Sequence, residues 1–195
     1  MHSTSLNRIK KVAILNSEID RDVSKAHRLM LGGSFDAYNA LVERYGVEVV
    51  RIAEQLNYAR YKRKERVTNR IGKYIRAGDC FFLTLTFTDD VLSKTSVETR
   101  RKYVRRYLKS LTPCYVGNID FGKTTEREHY HALVVCAEVV ETWKYGFIGI
   151  RKLPPTDSDM EAVCRYVAKL SNHAMKENDG VAPRIIYSRP CSALK

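Results

Sequence analysis

The chain has 195 residues, 34 Lys and Arg against 22 Asp and Glu for a formal net charge of +12, and five cysteines. That length suits one domain with an appendage and a real buried core, and the charge favours a polyanionic partner, nucleic acid before an anionic membrane surface, since no basic amphipathic anchor stands out. Cys80, Cys114, Cys136, Cys164 and Cys191 form no C-x-x-C and four lie in apolar runs, which reads as buried thiols of a reducing compartment; with only a short apolar patch at Val12 to Leu15, neither a signal peptide nor a membrane span is expected, and the protein is read as intracellular.

Residues 1–78 read as a helical, basic N-terminal segment. Ser34 is placed to cap a helix running through Leu41 and Val42, with Gly46 as its stop. A longer helix from about Val47 carries Val49, Ile52, Ala53 and Leu56 at helical spacing and ends near Gly78. Between Arg60 and Arg76 it holds Arg60, Lys62, Arg63, Lys64, Arg66, Arg70, Lys73 and Arg76 against Glu65 alone. That run is either a solvated face or a nucleic-acid contact, and the whole-chain charge favours contact through Arg60, Lys62, Arg63 and Lys64.

From Asp79 the pattern changes, and residues 79–195 read as a second unit. Leu83, Leu85 and Phe87 alternate with Thr84, Thr86 and Thr88, which predicts a strand over Phe81 to Phe87. Ser96 opens a helix with Val97, Val104, Leu108 and Leu111 on one face and Arg100, Arg101, Lys102, Arg105, Arg106 and Lys109 on the other, ended by Pro113. Strands follow near Tyr115–Phe121, His129–Val135 and Phe147–Ile150. After Pro154-Pro155 a helix is predicted from Asp157 to Lys176, and Arg184–Tyr187 as a last strand. This order predicts an α+β fold: a central, mainly antiparallel sheet with flanking helices, preceded by the helical N-terminal segment.

His129-Tyr130-His131 is the most informative short motif. Residues two apart on a strand share a face, so both imidazoles point one way with Leu133 and Val135. Two imidazoles on one rigid element hold a divalent metal when a carboxylate completes the set. Asp120 ends the preceding strand, and antiparallel pairing brings it beside them. Glu126 and Glu128 are rivals; Glu128 adjoins His129 and points to the wrong face, while Glu126 depends on the shape of a loop. Further on, Met160, Val163, Val167, Leu170 and Ala174 form one apolar stripe of the 157–176 helix. Tyr166, Lys169 and His173 lie along its border, with Tyr166 half anchored in the core and its hydroxyl free. Gly117 to Thr124 also matches the phosphate-loop pattern G-x-x-x-x-G-K-[ST]. Its flanks alternate as strands where that loop needs a helix, so Gly122-Lys123-Thr124-Thr125 is read as a hairpin turn.

The strand Phe82-Leu83-Thr84-Leu85-Thr86-Phe87, then His129-Tyr130-His131-Ala132-Leu133, then Tyr166-x-x-Lys169, resembles in order the three motifs of HUH endonucleases that initiate rolling-circle replication. Asp120-Phe121-Gly122, Trp143…Tyr145-Gly146-Phe147…Arg151-Lys152 and Tyr187-Ser188-Arg189 look most like initiators of single-stranded DNA phages and related plasmids. The resemblance spans Cys80 to Arg189. It departs from the family in offering Asp120 where Glu or Gln is usual, and in having a single nucleophile-motif tyrosine. It implies Tyr166 as nucleophile, Lys169 as its helper, and His129, His131 and Asp120 as ligands of Mn²⁺ or Mg²⁺. The implied activity is site-specific nicking and rejoining of single-stranded DNA at a replication origin through a 5′-phosphotyrosine. Duplex DNA on the basic N-terminal helix and host replication proteins are further expected partners, with Arg105 and Arg106 as added phosphate contacts. A non-catalytic basic DNA- or RNA-binding module is the main alternative, and a phosphate-loop nucleotidase the third.

Overall fold

The computed structural model describes residues 10–15, 17–31, 35–75, 79–122, 127–139, 142–154, 157–170, 172–176, 178 and 180–188. They divide into two compact units, residues 1–63 with 170–182 and residues 64–169 with 183–195. The expected division at 78/79 is therefore displaced into a helix, and a stretch near the C-terminus returns to the first unit. The α+β expectation holds, helical segment first and antiparallel sheet second. Among the described residues no helix is long and apolar enough to cross a membrane.

The first unit is built on α1 (Glu18–Leu31), α2 (Asp36–Tyr45) and the start of α3 (Val47–Ile75). Gly46 ends α2 as expected, at φ +81° with its N–H on the Val42 carbonyl; the expected cap Ser34 and stop Gly78 lie outside the described residues. Ile52, Ala53 and Leu56 pack with Leu15, Val23, Ala26 and Leu41 as their spacing predicts. On the basic run the Arg60 guanidinium forks onto the buried Asp20 (Nη1–Oδ2 2.8 Å, Nη2–Oδ1 2.6 Å) and also meets Asn57, so this cation is tied into the fold, and Arg70 donates to the Ser188 carbonyl at 2.8 Å.

The second unit is a five-stranded sheet of order β4-β1-β3-β2-β5, with β1 Cys80–Thr86, β2 Tyr115–Phe121, β3 Glu128–Val135, β4 Ile148–Leu153 and β5 Ile186–Tyr187; every pairing is antiparallel. A short α4 (Asp89–Lys94), unforeseen in the sequence, follows β1; its cap is Thr88, whose hydroxyl accepts from the Val91 N–H. α5 (Val97–Leu111) starts at Ser96 as expected and lays Val104 and Leu108 on one sheet face. Gly117 on β2 admits it, since a Cβ there would stand 3.2 Å from the Leu108 side chain. Arg100, expected on the solvated basic face, is buried instead and grips Glu128 through Nε (2.9 Å) and Nη2 (2.5 Å). Arg105 and Arg106 are exposed.

The opposite sheet face carries Cys80, Val116, Leu133 and Val135, covered by Val163, Cys164 and Val167 of α6 (Asp157–Ala168) with Val67 and Ile71 of α3. The single helix expected over 157–176 is broken. α6 stops at Ala168, and α7 (Asn172–Lys176) is separate. Asn118 draws the break, its buried amide donating to the Lys169 carbonyl at 2.8 Å, so that carbonyl serves the sheet rather than a continuing helix. The predicted stripe is divided accordingly: Val163 and Val167 belong to the sheet core, Leu170 and Ala174 to the first unit. Cys114 is disulfide-bonded, so the expectation of buried thiols fails there, while Cys80, Cys136 and Cys164 are free.

Candidate metal centre and nucleophile

Register decides which side chains meet. Thr86 pairs with His129, and His129 with Asp120; Thr84 pairs with His131, and His131 with Asn118. Cross-strand partners share a face, so Asp120, His129 and His131 converge on one side of the sheet as the sequence predicted. Among the described residues they are the group whose ligand atoms lie close enough to hold one ion. The two Nε2 atoms are 3.1 Å apart, and each is 3.8 Å from Asp120 Oδ2. Glu128 faces the other way onto Arg100; Glu126 lies outside the described residues.

The donor set fits a divalent cation. Two ligands of one ion at bonds of about 2.1 Å must lie within about 4.2 Å of each other, a limit all three separations meet. His129 Nδ1 sits 3.1 Å from the Arg127 carbonyl, which can only accept, so the ring's proton belongs on Nδ1 and Nε2 presents a lone pair. Thr84 Oγ1 lies 3.3 Å from His131 Nδ1 and can fix the same tautomer there. Burial first, then the neighbouring His129, lowers the pKa of His131 to about 4, leaving it neutral and able to ligate at neutral pH. Two converging imidazole nitrogens beside a buried carboxylate are a donor set of the kind a divalent cation takes.

Tyr166 stands beside this group. Its ring centroid is 5.5 Å from that of His131 and 6.0 Å from that of Phe82, which itself stacks on His131 at 5.3 Å. It is 53% exposed. Lys169 is not one turn along the same helix; it lies just past the end of α6, and its Nζ is 2.5 Å from Asp120 Oδ2. That contact answers the Asp120 charge and ties α6's end to β2. The His173 side chain lies outside what is described. Sequence reasoning missed Thr84, Asn118 and Phe82. Only Thr84 carried a signal, as a polar residue alternating on the strand before the His pair.

The phosphate-loop reading loses its structural basis. Phe121 pairs with Glu128, and the Gly122 N–H donates to the Arg127 carbonyl at 3.0 Å, so β2 leads into an antiparallel neighbour and not into a helix. Lys123 and Thr124 themselves lie outside the described residues.

No family model matches the chain, and no curated protein matches it. Among solved structures it is similar to the crystal structure of the hypothetical protein ORF119 from Sulfolobus islandicus rod-shaped virus 1, at 20% identity and a TM-score of 0.36, over 62% of this chain and 97% of that one. A likeness that distant adds nothing to what the side chains say.

Proposed function

We propose that the chain is a metal-dependent endonuclease and strand transferase of the HUH type, nicking and rejoining single-stranded DNA at a replication origin inside a host cell. The observation that carries this reading is the juxtaposition of a His pair and a carboxylate with an exposed tyrosine 5.5 Å, ring to ring, from His131.

Asp120, His129 and His131 would hold the ion, and Mn²⁺, or Mg²⁺ where abundance decides, would supply Lewis-acid neutralisation of charge on the scissile phosphate. The protein's own groups do the rest. Arg127 and Thr84 orient the imidazoles, and Lys169 keeps Asp120 in place. Tyrosine hydroxyls ordinarily titrate near 10, so an unactivated phenol is a poor nucleophile and its positioning matters. Tyr166 Oη forms a bond to phosphorus as the bond from phosphorus to the 3′ oxygen breaks. The phenolic proton is released and the departing oxygen takes one up. A 5′-phosphotyrosine and a 3′-hydroxyl result. Because the link keeps the phosphodiester's energy, attack by another 3′-hydroxyl reseals the strand without ATP.

The test is to incubate the protein with random single-stranded oligonucleotides and Mn²⁺ and to sequence whatever stays covalently attached. A defined cut sequence is expected. Tight DNA binding with no covalent product under Mn²⁺ or Mg²⁺ leaves a non-catalytic binding module instead.

A further inference from the structure

Phe147, just before β4, is 74% exposed, an unusual state for a phenylalanine on an ordered segment. The Thr86 N–H donates to its carbonyl at 2.9 Å, which continues the β1–β4 register and sets Phe147 opposite Thr86. Thr86 in turn is opposite His129. Phe147, Thr86, His129 and Asp120 thus form one row across four strands on the same face, with Phe147 about 10 Å, two strand spacings, from His129.

The next residues of β4 on that face are Gly149 and Arg151, opposite Thr84 and Phe82, and both are exposed. Gly149 is not required by packing. A Cβ there would meet Thr84 Cβ at 3.7 Å, an ordinary contact, so the open floor beside the His pair is a choice of sequence in a strand where glycine is disfavoured. Gly146 is the reverse case. A Cβ there would stand 2.2 Å from the Thr86 carbonyl oxygen, so only glycine lets the loop close down on β1. Trp143 Nε1 donates to that same carbonyl at 2.7 Å, and the Thr88 N–H donates to the Tyr145 carbonyl at 3.0 Å. Phe147 is therefore presented by a pinned loop.

We infer that the row Phe147, Gly149, Arg151 is a track for single-stranded DNA along the edge of the metal centre, with an unpaired base stacked on Phe147 and the backbone crossing Gly149. An exposed aromatic on the same strand face as a basic side chain about 13 Å along, on a chain of net charge +12, suits a polyanion whose bases are free to stack, as those of a paired duplex are not. The inference rests on the nicking function proposed above and names its subsite.

The test measures binding of a short fluorescein-labelled mixed-sequence single strand, and of its duplex, to the full chain in EDTA, where no cutting occurs. Phe147→Ala should weaken single-strand binding roughly 5- to 100-fold and leave the duplex unchanged, with Phe147→Trp restoring it. Gly149→Leu, which fills the floor, should weaken it similarly. Equal loss for both DNAs, or none for either, overturns the track, as does a dimer that Phe147→Ala converts to monomer without changing DNA affinity. The proposed activity is read separately, as Mn²⁺-dependent adduct on the unaltered chain. An adduct with no Phe147 effect removes the track alone, and a Phe147 effect with no adduct removes the nicking alone.

Discussion

Replacing Arg100 by Met should be among the most destabilising single changes in the second unit while sparing the candidate metal centre. Arg100 is 7% exposed and Glu128 4%, and the guanidinium makes two bonds to Glu128 Oε2 and further bonds to the carbonyls of Leu92 and Thr95. Among the described residues the other carboxylate oxygen, Oε1, has no hydrogen-bond partner, so none of them bonds that oxygen in the arginine's place. Stranding a buried charge costs about 3–5 kcal/mol. The double variant Arg100→Met/Glu128→Leu should recover most of this, retaining about 1–2 kcal/mol for the two carbonyls left unpaired. Urea unfolding in EDTA with matched slopes gives the values. A cost below about 1 kcal/mol for Arg100→Met alone would refute the reasoning. Folded Glu128→Gln should bind Mn²⁺ as the parent does, because its carboxylate faces away from the imidazoles; a tenfold loss, about 1.4 kcal/mol, would put Glu128 in the ligand set.

Asp120→Asn should lower Mn²⁺ affinity by roughly 100-fold or more, a loss at least equal to that of removing an outer-shell partner, and calorimetry reads it directly; an unchanged affinity would move the third ligand elsewhere, with Glu126 next in line. Arg60→Ala should cost about 1.5–3 kcal/mol of stability by removing the charge-assisted fork onto the buried Asp20, with the salt slope of DNA binding unmoved, whereas neutralising Lys62, Arg63 and Lys64 together should flatten that slope by up to about 3. A pH effect follows from His131, whose pKa is lowered to about 4. Above about pH 6.5 the residue is neutral folded or unfolded and contributes nothing; as pH falls from there toward about 4, the unfolded chain takes up the proton first, and metal-free stability should drop by about 2–3 kcal/mol before levelling. His131→Asn should remove that part of the acid sensitivity, and an unaltered curve would mean that the imidazole is not held neutral.

Strands and the meeting of the candidate ligands were legible because their determinants are local. Alternation over His129 to Val135 and a short link from Asp120 leave few registers that bury Leu133 and Val135, and the observed register brings Asp120, His129 and His131 together. The failures have a common cause, since each depends on a partner distant in sequence. Arg60 and Arg100 look like members of solvated basic faces until Asp20 and Glu128 arrive from elsewhere in the chain. The helix break after Ala168 needs Asn118, a strand residue fifty-one positions from Lys169, and nothing in the Tyr166–His173 periodicity announces it. α4 was different: Thr88 before Asp89-Asp90 is a recognisable cap, hidden by reading Phe87 and Thr88 as strand.

Locating the nucleotide on the protein tests the central claim most directly. After reaction with Mn²⁺ and the single-stranded oligonucleotide recovered from the random pool, nuclease digestion and tandem mass spectrometry of tryptic peptides should place one phosphate-linked nucleotide on Tyr166. Tyr166→Phe should abolish the adduct while DNA affinity stays within a few fold. An adduct of full yield in Tyr166→Phe, or a modified peptide that lacks residue 166, would contradict the account.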